Sequence, residues 1–450
     1  MLAYTGSDRD EDIWLRRVTV TRTEAPRVHA TENATLVEQL PASRWPAIVI
    51  VLLIVGVLRI VVVLPSRANQ NDFAHYYLSS RLLIDGDAPY RTPLEPLYAA
   101  HGFVFDARIP TATNPPPLLW LMAPFSAMSP KWAHWMWSAF NGLSLVACLV
   151  MIRRFACPDL PRKIWWFAVL AVVWSFPVFE HFAFAQVQLE LAVLLLGAFC
   201  WQRSRQHAAA CVLASLAAAL KLFPVLMLPW FVFYSANSWR EVVRRSSIVG
   251  AVMAVICMAT GLTLWKDFLQ HGLPVISTGV MNQWGNQSVP SLVLNLASAG
   301  REFALDPSTS RTWWIIASIV GVLLLAVSYG LIWLKQGDSR IAFGLLLVAM
   351  VISGTTAWRH YFVILIWPAM VAIELAWKRP ELSRRLLTGV IAVLLVIPVG
   401  DLLASAVGTL PTLINILLGY LPLAGALLLG ALLAFSLDSA EQLPSAERWK

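Results

Sequence analysis

WPAIVIVLLIVGVLRIVVVL, residues 45–64, is a continuous apolar run whose single charge is Arg59. Coiled as a helix, a run of this length spans about 30 Å, the thickness of a bilayer's hydrocarbon core. Working outward, further apolar runs cover 131–152, 164–180, 186–201, 208–221, 222–236, 246–265, 312–334, 341–357, 360–377, 385–404 and 411–436. The pattern predicts an all-α polytopic membrane protein of about twelve transmembrane helices. Composition agrees, with 58% hydrophobic residues and 13% charged ones against about a quarter charged in soluble domains. No long soluble insertion interrupts the runs. The reading is therefore one membrane domain, 45–436, between an N-terminal tail (1–44) and a C-terminal tail (437–450). Residues 1–44 are polar with mixed charges, unlike the short basic start of a cleavable signal, so 45–64 reads as a retained anchor.

The formal net charge of +8 does not form a basic stripe of the kind that binds nucleic acid. Its short clusters fall between apolar runs: Arg153, Arg154, Arg162 and Lys163; Arg203 and Arg205; Arg240, Arg244 and Arg245; Lys335 and Arg340; Lys378, Arg379, Arg384 and Arg385. By the positive-inside rule these connectors are cytoplasmic, as are both termini. Two long segments, 65–130 and 266–311, are then outside, with apolar stretches at 116–127 and 289–297 suited to interfacial helices. The five cysteines show neither metal-ligand spacing nor an extracellular disulfide pattern. No Gly-rich phosphate loop, His-Glu metal pair or nucleophile elbow is present, which argues against a nucleotide-using enzyme and predicts no metal or cofactor.

The polar chemistry concentrates on the outer side. Asp72 follows the first helix, beside His75, Tyr76 and Tyr77. Partial desolvation there would raise its pKa and suit it to act as a general base towards a hydroxyl, whereas the plainer reading is a solvated interface aspartate among belt tyrosines. Glu180, His181, Gln186, Gln188 and Glu190 line the turn near 180–190, either as a wet cavity wall or as caps. Lys221 sits in an apolar hairpin, Ala-Leu-Lys221-Leu-Phe-Pro224, with no acidic residue nearby in sequence, so it either binds an anion such as a phosphate or snorkels to the interface. Asn282 to Ser288 offers amides and Trp284 for sugar binding, and Asn286-Gln287-Ser288 also fits a glycosylation sequon. Trp358-Arg359-His360-Tyr361 places cationic groups on the same side.

Taken in order, these elements resemble the family-87 glycosyltransferases, membrane enzymes of GT-C fold typified by polyprenyl-phosphate-mannose-dependent mannosyltransferases. The resemblance rests on Asp72 with Tyr76 and Tyr77, the stretch Gly86 to Tyr90, Pro115-Pro116, Lys221 with Pro224, Asn286-Gln287-Ser288, and Trp358 with His360-Tyr361, and covers roughly 45–375. Two departures stand out. The family's Gly-Gln-x-Asn element reads Ala185-Gln186-Val187-Gln188 here, and Asn114 replaces an aromatic before the prolines.

The resemblance implies inverting transfer of a hexose, mannose in the type members, from a polyprenyl phosphate to a lipid or glycan acceptor outside a bacterial cytoplasmic membrane. Asp72 would be the base. Lys221, Arg359 and His360 would hold the donor phosphate, with Tyr76, Tyr77, Gln186, Gln188, Asn286 and Gln287 towards sugar or acceptor. The competing class is a transporter or flippase, but such proteins place ionisable groups near mid-membrane, whereas Arg59, Glu374 and Asp401 lie towards helix ends. An O-antigen-ligase-like enzyme would be expected to carry a large outer loop late in the chain.

Overall fold

The computed structural model describes residues 45–67, 71–105, 109–275, 285–299, 307–379, 381–407 and 411–437, so residues 1–44 and 438–450 of the tails and Asn282 to Trp284 lie outside the described residues. The chain divides into two units, Met1–Ile48 and Val49–Lys450, and the fold is that of the second. It is all-helical, 81% helix, with no strand among the described residues. In chain order the helices are α1 (Trp45–Arg67), α2 (Asn71–Asp85), α3 (Glu95–Ala100), α4 (Pro116–Ser126), α5 (Pro130–Met151), α6 (Arg162–Trp174) and α7 (Phe176–Ala183). There follow α8 (Gln188–Arg203), α9 (His207–Leu220), α10 (Leu228–Phe233), α11 (Trp239–Thr260), α12 (Leu262–Asp267) and α13 (Val289–Ala297). The last are α14 (Pro307–Lys335), α15 (Ser339–Ser353), α16 (Ile366–Lys378), α17 (Leu382–Val396), α18 (Val399–Val407), α19 (Thr412–Gly419) and α20 (Leu421–Ser436).

Among the described residues, five helices are long and apolar enough to cross a membrane: Trp45–Leu64, Pro130–Ala156, Trp239–Thr260, Arg311–Lys335 and Arg359–Lys378. The number rises to seven if the bent pairs α6–α7 and α19–α20 each count as one span. Several runs expected to be single helices are broken, and proline is the physical reason. A proline lacks the N–H that would bond four residues back, and its ring clashes with that carbonyl. Pro177 separates α6 from α7 with a bend of 45°, and Ser175 caps the new start by accepting from the Val178 N–H at 3.3 Å. Pro224 ends α9 at Leu220. Lys221 is extended there, and a 3-10 turn (Phe223–Met227) and the short α10 replace the expected helix 222–236. Pro368 stands behind the 3-10 turn Arg359–Leu365 that precedes α16. Pro422 lies at the 50° break between α19 and α20.

The basic connectors meet at one end of the bundle. Arg340 donates to the Ala156 carbonyl at 2.7 Å and to Glu374 at 3.1 Å, and Lys378 donates to Asp159 at 2.9 Å. Gln202 reaches the Tyr234 carbonyl at 3.4 Å, beside Arg245, which bonds Glu241 at 2.5 Å. The polar residues of 72–77, 184–188, 221 and 355–361 gather elsewhere, apart from these connectors.

Between the ends the core is aromatic and aliphatic. Phe199 stacks on Phe343 with ring centroids 4.5 Å apart and meets Trp367 edge-on at 5.0 Å. α1 docks where Gly56 lets it approach α6: a Cβ there would lie 2.9 Å from Trp174, whose indole N–H donates to the Leu52 carbonyl at 3.0 Å. The apolar side chains left uncovered, Val62 at 74% and Leu334 at 85% exposure among them, suit a lipid environment.

Candidate functional site

α2 lies in the first long connecting segment, and its middle, Phe73 to Ser80, is buried on every side. Asp72 lies in its first turn, where a carboxylate is favoured by the helix dipole, and Phe73, Ala74, Tyr76, Tyr77 and Leu78 are its buried hydrophobic residues. Phe73 meets the His134 ring of α5 edge-on, with centroids 4.8 Å apart, which fixes the helix against the bundle. This packing presents Asp72 and Tyr76 to the turn between α7 and α8.

Gln186 in that turn joins them. Its amide nitrogen donates to Asp72 Oδ2 at 2.7 Å, and its oxygen accepts from the Tyr76 hydroxyl at 2.7 Å. Burial pushes the Tyr76 phenol up from its ordinary pKa, so it is a neutral donor at physiological pH. The turn itself is tightly determined. Ala185 adopts a positive φ of 50°, a region costing a non-glycine residue roughly 1–2 kcal/mol. It is held by Trp137, whose indole donates to the Ala185 carbonyl at 2.8 Å, and by the Gln186 N–H donating to the His181 carbonyl at 3.0 Å.

On the far side of Tyr76 stands Lys221. Its ammonium lies 5.9 Å from the Tyr76 ring centroid and 5.1 Å from that of Tyr361, and it donates to the Tyr361 hydroxyl at 3.2 Å. Among the described residues no carboxylate pairs with it directly, so two phenol rings are its nearest counter-partners. His360, beside Tyr361, is buried against Phe184 with centroids 5.7 Å apart, and its Nε2 has no hydrogen-bond partner among the described residues. A half-buried lysine and an unsatisfied imidazole in one cluster suit an anion.

Arg359 is differently placed. It pairs with Glu180 at 3.1 Å and with Asp401, and lies over the Phe176 ring. Its charge is already matched by two carboxylates.

The other sequence candidates do not point into this cluster. The Tyr77 hydroxyl donates to the Met128 carbonyl at 2.7 Å. The Asn286 amide bonds the Thr355 carbonyl at 2.9 Å and the Ala357 N–H at 2.8 Å, as part of an isolated bridge to Trp358. Gln287 serves the broken helix: it donates to the Gly419 carbonyl at 2.9 Å and accepts from the Leu423 N–H at 3.2 Å, satisfying backbone groups that the α19–α20 break exposes. Gln188 Oε1 accepts from the Val187 N–H at 3.1 Å, and its buried nitrogen has no partner among the described residues.

Contacts between residues far apart in the chain escaped the sequence reading. Tyr361 partners Lys221 across 140 residues of chain, and Asp401 partners Arg359 across 42. Neither separation leaves a local signal. Among the described residues no group of three or more His, Cys, Asp or Glu is disposed to hold a metal ion.

A 23% identity over 346 residues relates the chain to the polyprenol-phosphate-mannose-dependent alpha-(1-2)-phosphatidylinositol mannoside mannosyltransferase of Mycobacterium tuberculosis (strain ATCC 25618 / H37Rv), across 70% of this chain and 73% of the relative. The sequence model of glycosyltransferase family 87 matches residues 112–356, more than half of the chain, and includes the Gln186 turn, Lys221 and Asn286. With its several membrane-length helices, the chain belongs to glycosyltransferase family 87 and is a membrane glycosyltransferase.

Proposed function

We propose that the chain transfers a hexose, mannose by analogy with its relative, from a polyprenyl phosphate to a hydroxyl of a glycolipid or glycan on the outer side of the cell membrane. The reading includes a GT-C-like bundle of about twelve crossings, with shorter helices such as α8, α9, α15 and α17 among those beyond the membrane-length ones. The observation that carries it is the convergence of a carboxylate and a half-buried cation on one tyrosine: Asp72 through Gln186, and Lys221 over the ring. A sugar phosphate bound with its anion at Lys221 and His360 would offer its anomeric carbon towards Asp72.

The chemistry is then an in-line displacement. The acceptor oxygen forms a bond to the anomeric carbon from the face opposite the phosphate, and its proton passes to the Asp72 carboxylate. The bond from the anomeric carbon to the phosphate oxygen breaks, its electron pair stays on the lipid phosphate, and the configuration inverts. Lys221 and His360 face the charge that grows on the leaving phosphate, where preorganised donors have most effect.

An apolar recess supports a lipid-borne donor. The 3-10 turn that carries His360 continues into Phe362 and Val363, which line the recess together with Ala168 and Val172 of α6 and Ile391 and Leu395 of α17. Phosphate-binding and tail-binding surfaces are thus offered by one turn.

Membranes incubated with radiolabelled polyprenyl-phosphate mannose should move label into a lipid or glycan product. Label that stays on the donor with every acceptor fraction supplied, while the chain equilibrates labelled sugar or lipid between leaflets, would favour a transporter instead. The outer placement has its own test. A cysteine at exposed Asp87 should react with a membrane-impermeant thiol reagent on intact spheroplasts, while one at exposed Asp159 should match the native baseline. The reverse pattern would put the site on the cytoplasmic face.

A further inference from the structure

The turn holding Gln186 is more constrained than a ligand-contacting loop requires. Gln186 is 3% exposed, leaving little surface for a sugar hydroxyl, and both ends of its amide are occupied by protein groups. Chemistry fixes which way round the amide sits. An ionised carboxylate only accepts hydrogen bonds, so the NH2 must face Asp72, and the oxygen is left to accept from Tyr76. Turned over, the amide would set two acceptors against each other at Asp72. The backbone is equally committed, because Ala185 is held at positive φ under the Trp137 indole to deliver the side chain there. Non-glycine residues persist in that region when the surroundings over-determine them, as they do at this turn.

We infer that Gln186 is a positioning residue for Asp72: it holds one carboxylate oxygen and ties the base through Tyr76 to the Lys221 side of the site. The inference rests on Asp72 being the base. Gln186 fixes the rotamer of that carboxylate and favours its ionised form, so that Asp72 meets the acceptor hydroxyl already oriented. Tyr76 sets the amide in turn. The Lys221 ammonium over the Tyr76 ring polarises that phenol and strengthens its donation to Gln186. Gln186 does not bind the sugar.

The test is steady-state transfer from the labelled lipid donor, measured across pH in membranes matched for protein level. Gln186→Leu should lower kcat on the order of 10- to 100-fold, the range for removing a hydrogen bond to a charged group. KM for donor and acceptor should hold within about twofold, as expected when only transition-state help is lost. The acidic limb of the rate profile should move to higher pH, because a carboxylate that loses a donor to its charged form is protonated more readily. A raised KM with kcat retained would make Gln186 a substrate ligand and overturn the inference, as would native values of both. Should Gln186→Leu fail to accumulate, the nearly isosteric Gln186→Glu decides. Slow transfer at neutral pH that recovers as the new carboxyl gains a proton supports positioning, and a native profile overturns it. Asp72→Asn, run in parallel, separates the two readings. An inactive Asp72→Asn beside a native Gln186→Leu defeats only the positioning role, whereas an active Asp72→Asn defeats the base assignment beneath it.

Discussion

Asp72→Asn should slow sugar transfer by about 10² to 10⁴, the usual worth of general-base assistance, while the protein accumulates and inserts at native levels. The substitution keeps the shape of the side chain and leaves an oxygen to accept the Gln186 N–H now found at 2.7 Å from Asp72 Oδ2. What it removes is the ability to take a proton from the acceptor hydroxyl. Neighbouring carboxylates provide the controls. Asp85 is engaged by Arg81 at 2.9 Å on an exposed helix face, and Asp87 is exposed beyond the end of α2, so amides at both should be near native in rate. Glu180 pairs with Arg359 at 3.1 Å, and Glu180→Gln should cost less than Asp72→Asn because Asp401 still holds the arginine. Rapid transfer by Asp72→Asn beside an inactive Glu180→Gln would move the base to α7.

Lys221→Ala comes next in expected size, with transfer reduced on the order of 10²-fold, comparable to deleting one preorganised donor to a developing oxyanion. The loss should fall on both the donor KM and kcat, because the ammonium meets the phosphate in the ground state and meets more charge as the lipid phosphate leaves. Lys221→Arg keeps the charge and should recover part of the rate, although the guanidinium cannot reproduce a point donor between two phenols. Arg359→Ala makes the contrast. Its two carboxylate partners leave it little charge to offer a ligand, so the expected harm is to the docking of α18 and α7. Native donor KM and kcat in both Lys221 variants would show the lysine to be a snorkelling side chain.

Much of this architecture was legible in the amino acids. Apolar runs mark the helices, and the spacing of Arg and Lys separates two sets of connectors that the structure also keeps apart, with Arg340, Lys378 and Asp159 in one cluster and Asp72, Lys221 and Tyr361 in another. Helix continuity was less legible. Hydropathy runs smoothly through Pro177, Pro224, Pro368 and Pro422, because proline is apolar enough to extend a run while removing the hydrogen bond that a helix needs there. The site shows the same division. A polar turn at 180–190 announces itself in an apolar chain, yet nothing local says that Gln186 reaches back 114 residues to Asp72 while Gln188, two residues on, bonds the adjacent Val187 N–H. Asn286 and Gln287 look like sugar ligands because amides are versatile. Here their amides complete backbone that an isolated bridge and a broken helix leave open.

The shortness of α9 bears on how a membrane-borne substrate arrives. The helix starts at His207, beside Glu241 at the basic end, and runs 14 residues to Leu220, about 21 Å at a helical rise, against a hydrocarbon layer of roughly 30 Å. With the outer placement proposed above, Lys221 would lie below the level at which lipid headgroups ordinarily float, in a depression that protein would wall, because α9 is buried against α8 and α11. A phosphate on an isoprenoid chain would meet the lysine by riding down that depression, its tail never leaving oil. The protein would select its donor partly by depth, admitting an anion that a long hydrocarbon anchor can carry into the dip and passing over the same anion in water.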